Sequence, residues 1–169
     1  MHEWNSELEV GEALSSLINL TGRKHILEIG TFEGVTSQTI LSNSPSIESL
    51  TMVDIEDLRS DKFKKECQNK FKSKATFILS DSMKVNQKDL PNRPDLIFFD
   101  GVHEFDHQVK EFQRYEKMAA NDCIFTFHDT HHISELRQFV DWLAKFYQLV
   151  NLPTPDRRGL TIAYGYKIR

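Results

Sequence analysis

The chain has 169 residues, enough for one compact domain with a sizeable core and too few for two ordinary ones. Hydrophobic residues make up 39% and charged residues 27%, and with only 7 Gly and 5 Pro the composition excludes a disordered or collagen-like chain. A net charge of -4 argues against a chain-wide nucleic-acid footprint.

A short apolar run followed by a longer amphipathic stretch recurs along the chain. His25 to Gly30 reads as a strand and Val35 to Leu41 as the helix after it. Leu50 to Ile55 is a second strand, followed by a Lys-rich helix from Asp61 to Lys74, and Ala75 to Leu79 is a third strand. Asp95 to Asp100 is a fourth, apolar almost throughout, as a strand buried on both faces must be. A helix from Glu104 to Ala119, a fifth strand from Cys123 to Phe127 and a helix from Ile133 to Phe146 complete the series. Tyr147 to Leu152 and Leu160 to Ile168 then read as two strands joined by the turn-rich segment from Pro153 to Gly159, a link short enough for an antiparallel pair. No element is read before His25. The pattern predicts one domain over residues 1–169, with five βα units closed by a β-hairpin. Its class is α/β, a Rossmann-like, doubly wound, mostly parallel seven-stranded sheet with a C-terminal antiparallel hairpin.

In such sheets ligands bind beyond the carboxyl ends of the strands, near the point where strand order reverses. All five predicted parallel strands end on Gly or a polar group: Gly30, Asp54, Ser80-Asp81, Asp100 and His128-Asp129. The first end, Glu28 to Gly34, carries two glycines at a strand-to-helix turn, where backbone can approach a ligand and a helix N-terminus favours an anion. It is neither GxGxxG nor a Walker loop, because Phe32 fills the middle position and no Gly-Lys-Ser/Thr follows. Alone, it reads equally well as an ordinary βα turn. Asp54 ends the second strand where an acidic residue takes two ribose hydroxyls, and Asp81 ends the third where it can accept from an exocyclic amine. Together they describe a nucleoside-shaped site.

On the segments Leu27 to Leu41, Met52 to Glu56, Ser80 to Met83, Asp95 to Phe112, Phe125 to Thr130 and Arg157 to Gly165, the sequence resembles the class I S-adenosylmethionine-dependent methyltransferases. Within them it is similar to the small-molecule O-methyltransferases of the macrocin O-methyltransferase and cephalosporin-hydroxylase-like group. The resemblance implies that Glu28, Gly30, Thr31 and Gly34 frame the methionine part of the cofactor and that Thr36 bonds its carboxylate. It also implies Asp54 on the ribose diol, Ile55 beside the adenine, Asp81 and Ser82 at the adenine edge, Met83 against its face, and Asp100 near the cofactor. For Ile55 and Met83, plain core packing is the competing reading.

Methyl transfer to a hydroxyl needs the proton removed, which a divalent cation and a nearby base promote. By the same resemblance, Asp100, His128 and Asp129 take the metal, expected to be Mg²⁺, and His103 is the base. His128 stands where relatives carry a carboxylate, and imidazole favours Zn²⁺ or another transition metal. The expected reaction is O-methylation of a small-molecule hydroxyl. A non-catalytic S-adenosylmethionine-binding module is one alternative. Another is a zinc hydrolase, because His103-Glu104-Phe105-Asp106-His107 fits HExxH; its two histidines would have to share one helix.

The remaining features read as structural. Phe63, Cys67 and Phe71 form an apolar stripe backed by a solvated basic face, so no nucleic-acid partner is expected. Phe139, Trp142, Leu143 and Phe146 form a second stripe, read as core, with a homodimer face as the lesser reading. Cys67 and Cys123 show no CxxC spacing, so neither a disulfide scaffold nor a four-cysteine zinc site is expected. No apolar run reaches the roughly 20 residues of a membrane span, and the first residues lack a secretory pattern. The expected address is cytoplasmic.

Overall fold

The computed structural model describes residues 6–166. Seven strands form one sheet in the order β3-β2-β1-β4-β5-β7-β6. β1 (His25–Ile29), β2 (Ser49–Asp54), β3 (Ala75–Leu79), β4 (Leu96–Phe99) and β5 (Ile124–His128) run parallel. β6 (Tyr147–Leu152) and β7 (Leu160–Tyr166) form the antiparallel hairpin, with β7 paired to β5. The expected sheet is thus present. Lys167 and Ile168, the end of the last predicted strand, lie outside the described residues.

Alternation along the strands divides the core in two. Leu27, Ile29, Phe99, Phe125 and Phe127 face α4 (Phe105–Met118) and α5 (Ser134–Leu143), which contribute Phe112, Tyr115, Phe139 and Leu143. Ile26, Leu50, Met52, Leu96 and Phe98 face α1 (Ser6–Thr21), α2 (Val35–Asn43) and α3 (Asp61–Asn69), which contribute Val10, Leu14, Ile18, Ile40 and Phe63. The stripe on α5 is core, as read: Phe139 and Leu143 are buried, and Trp142 and Phe146 pack against them. Cys67 and Cys123 are free thiols. Among the described residues no helix is long and apolar enough to cross a membrane.

Three boundaries differ from the sequence reading. α1 went unread although Val10, Leu14 and Ile18 repeat every four residues, because Gly11, Ser15 and Ser16 dilute its helical character. Gly11 is needed there: a Cβ would stand 2.7 Å from the Thr39 Cβ, so the glycine lets α1 lie close against α2. α3 stops at Asn69, earlier than Lys74, and the chain turns so that Phe71 is still buried. No α-helix follows β3; two 3-10 turns, Ser82–Lys84 and Gln87–Asp89, bridge to β4, so the fold has four βα units with an α-helix where five were expected.

Candidate active site

Strand order reverses between β1 and β4, and a cavity of about 580 Å³ opens beyond their carboxyl ends, where topology favours ligand binding. The turn after β1 forms one wall. Gly30 adopts φ +85°, and a Cβ there would stand 2.3 Å from the Asp100 carbonyl oxygen, so only glycine lets β1 and β4 leave the sheet this close together. Gly34 is the N-cap of α2.

Asp54 locks this turn from the end of β2. Its Oδ2 accepts the backbone N–H groups of Thr31 and Phe32, each at 2.8 Å, and its Oδ1 accepts that of Glu56 at 3.2 Å. Phe32 and Ile55 also line the cavity and are 53% and 70% exposed, so Ile55 is not a core residue. Open apolar side chains beside a carboxylate suit a ligand with both a flat apolar face and hydroxyl groups.

Glu28 and Thr36 sit beneath this wall. Glu28 is buried and accepts the Ser37 hydroxyl; burial pushes its carboxyl up to about 8 against that bond. The Thr36 hydroxyl donates to the Glu7 carbonyl at 3.1 Å and ties α2 to α1. On the far wall Ser82 faces the cavity, whereas Asp81 caps the 3-10 turn through Met83 N–H at 2.9 Å. Neither Asp81 nor Met83 lines the cavity.

The ends of β4 and β5 bring four predicted residues together. The ligand atoms of Asp100, His103 and Asp129 all lie within 4.8 Å of one another, with His103 Nε2 3.6 Å from Asp129 Oδ2. His103 Nε2 and Asp129 Oδ1 are buried without a hydrogen-bond partner among the described residues. Two carboxylates and an imidazole with such orphaned atoms fit a divalent cation. His128 is not one of that group of three, but it also lines the cavity, with its Nδ1 3.0 Å from Asp100 Oδ1 and 3.9 Å from Asp129 Oδ1. Burial alone would lower the His128 pKa, but the Asp100 bond and the charges of Asp100 and Asp129 outweigh it, so the imidazole is held above its ordinary value. Burial raises Asp100, and the His128 bond opposes that rise. The contact between the imidazole and the carboxyl fixes the orientation of Asp100. Asp129 itself holds φ +58°, a left-handed conformation uncommon for a residue with a side chain and frequent at functional sites.

Two further cavity residues escaped the sequence reading. Arg158, in the β6–β7 link, places Nη1 3.6 Å from Asp129 Oδ1 and Nε 3.4 Å from Asp156 Oδ2. It falls within the Arg157 to Gly165 segment of the resemblance, which gives it no role. Glu7 enters from α1; burial raises its carboxyl, and Asp100 and Glu33 raise it further. No sequence signal marked it, since α1 itself went unread.

The HExxH match does not form a zinc-hydrolase site. α4 begins at Phe105, so His103 precedes the helix, and His107 turns to Glu111, its Nε2 3.5 Å from Oε1. The two histidines therefore serve different clusters.

Comparison with known proteins agrees with this geometry. The chain is similar to the O-methyltransferase TomG from Streptomyces achromogenes, solved with SAM (18% identity, TM-score 0.72, covering 91% of this chain and 78% of that one). It is also similar to an O-methyltransferase from Bacillus cereus solved with SAH (15%, TM-score 0.73, 91% and 79%), and to cofactor-bound Rv0187 from MTB (14%, TM-score 0.76, 92% and 79%). At these identities the likeness establishes the fold. No curated protein sequence matches. A family model described as a methyltransferase domain matches residues 27–130, more than half of the chain. With the seven-stranded sheet, the glycine turn after β1 and the acidic end of β2 in place, the chain belongs to the methyltransferase domain family, and its fold is that of the S-adenosylmethionine-dependent O-methyltransferases.

Proposed function

We propose that the chain transfers a methyl group from S-adenosylmethionine to a small-molecule hydroxyl, with a divalent cation assisting. The observation that carries this reading is one cavity lined by both the Gly30–Asp54 wall and the Asp100–His103–Asp129 group. Bound S-adenosylmethionine supplies the activated methyl group, so the protein's share is alignment, charge and a base. A divalent cation supplies Lewis acidity at the acceptor oxygen.

The chain's own residues divide the remaining work. Gly30 presents backbone to the methionine portion while Thr31 shapes the turn by donating its N–H to Asp54, Asp54 faces the ribose hydroxyls, and Ile55 with Phe32 flanks the base. Asp100 and Asp129 are the carboxylates that hold the cation, and His128 steadies Asp100. His103 takes the hydroxyl proton at Nε2, with Asp129 beside it to stabilise the imidazolium. One nitrogen cannot both ligate and accept a proton, and this reading gives it to the proton. The apolar opening at Val102, 43% exposed, beside the half-exposed Arg158 gives the acceptor an apolar body and a polar edge.

The test is calorimetry of metal-stripped protein with S-adenosylhomocysteine, repeated with Mg²⁺ and with Zn²⁺. One-to-one binding strengthened by a cation is expected; no heat under any condition overturns the reading. Asp54→Ala removes the acceptor for two turn N–H groups and is expected to weaken S-adenosylhomocysteine binding about 10-fold or more. Unchanged affinity in the same titration would remove Asp54 from the ligand wall.

A further inference from the structure

Among the described residues, Arg158 is the one Lys or Arg in the cavity wall. Its backbone is fixed within the β6–β7 link. The Arg158 N–H donates to Asp156 Oδ1 at 3.1 Å, and its carbonyl accepts the N–H groups of His131 at 2.7 Å and His132 at 3.2 Å. Gly159 follows at φ +84°, where a Cβ would stand 2.4 Å from the His131 Cγ, so the link is seated directly on the turn after Asp129. The guanidinium is held less firmly. It stands 3.6 Å from Asp129 Oδ1 and 3.4 Å from Asp156 Oδ2, and its side chain is 49% exposed. That side chain forms no hydrogen bond among the described residues. Elsewhere arginine is used differently: Arg59 grips Asp57 with two hydrogen bonds of 2.9 and 3.1 Å, and Arg23 meets Asp122 at 2.8 Å. An arginine serving only to neutralise Asp129 and Asp156 would close on them in the same way.

A planar fork of donors, anchored at its backbone and open at its tip, suits a carboxylate brought by a ligand. The topology says which ligand. The Gly30–Asp54 wall lies at the ends of β1 and β2, on one side of β4, whereas the β6–β7 link lies past β5, on the other. Arg158 therefore adjoins the Asp100–His103–Asp129 group from the side away from the cofactor wall. It and His103 each stand 3.6 Å from an oxygen of Asp129. We infer that Arg158 binds a carboxylate of the methyl acceptor, so that the acceptor is a small hydroxy acid with its hydroxyl at His103. This assignment rests on the methyltransferase reading of the cavity. Because Arg158 and His103 flank one carboxylate, the hydroxyl and the acid group of the acceptor lie only a few bonds apart. The exposed Val102 meets the apolar body that joins them. Repulsion from Asp129 is offset once its charge serves the proposed cation.

The probes are meta-hydroxybenzoate and its neutral counterpart meta-hydroxybenzamide, titrated calorimetrically into the chain saturated with S-adenosylhomocysteine and Mg²⁺. The meta arrangement keeps acid group and hydroxyl too far apart to chelate one cation, so a preference for the acid reports on the protein. The wild-type chain is expected to prefer the acid by about 10-fold or more. Arg158→Gln is expected to abolish that preference, and Arg158→Lys, which keeps the charge without the fork, to retain only part of it. Both variants are expected to bind S-adenosylhomocysteine as the wild type does. Absence of a wild-type preference, or a preference that survives both substitutions, overturns the Arg158 assignment alone. Loss of S-adenosylhomocysteine affinity in Arg158→Lys would put the arginine on the cofactor and overturn it as well. Failure of the wild-type chain to bind S-adenosylhomocysteine overturns the methyltransferase reading along with it.

Discussion

His103→Ala is expected to lower turnover by about 10²–10⁴-fold while leaving S-adenosylhomocysteine affinity essentially unchanged. The imidazole stands just before α4, half-open to the cavity, with Nε2 3.6 Å from Asp129 Oδ2 and 4.0 Å from Asp100 Oδ1. It is placed to reach an acceptor hydroxyl without supporting the cofactor wall on β1 and β2. Single-turnover rates with an accepted hydroxyl substrate, set beside cation and S-adenosylhomocysteine titrations, separate the roles. Loss of turnover with both affinities intact is the signature of a base. A parallel collapse of cation affinity would make His103 a ligand and leave proton removal to another group.

Gly30→Ala is expected to act on fold and site together. A methyl group there would meet the Asp100 carbonyl oxygen at 2.3 Å, the Asp100 carbonyl carbon at 2.6 Å and the Gly101 nitrogen at 2.8 Å. All three are backbone atoms, so no side chain can swing aside. Overpacking of this kind costs about 1–3 kcal/mol, and the left-handed conformation adds about 1–2 kcal/mol for an L-residue. For a domain of this size, the sum lowers the melting temperature by roughly 4–20 °C. Because relief of the clash must part β1 from β4, S-adenosylhomocysteine affinity is expected to fall as well. A melting temperature and an affinity both matching wild type would show that the two strand ends are free to separate.

The strands were legible because they carry long apolar runs: Leu96 to Phe99 is buried at every position, and no amphipathic pattern competes with that signal. The chief site residues were legible for a related reason. Once the strands are placed, topology alone brings Gly30, Asp54, Asp100 and Asp129 to one end of the sheet. What sequence could not supply is direction. His103 follows Asp100 and His128 ends β5 just before Asp129, and each reaches both carboxylates with a different nitrogen: His103 Nε2 at 4.0 and 3.6 Å, His128 Nδ1 at 3.0 and 3.9 Å. Which nitrogen faces which oxygen depends on loop geometry, including the left-handed turn at Asp129. Glu111 was hidden for another reason. Four residues after His107 on a helix, it reads as a surface pair, and only the packing of α4 against the 3-10 turn shows the carboxyl buried.

The backbone at Asp129 sets two selective pressures against each other. Its φ of +58° suits glycine better than aspartate, and its buried Oδ1 has no hydrogen-bond partner among the described residues. Folding thermodynamics alone would favour a smaller residue there, while the chemistry proposed for the cavity demands the carboxylate. Thermostability selected without an activity screen would therefore be drawn toward the change that silences the enzyme.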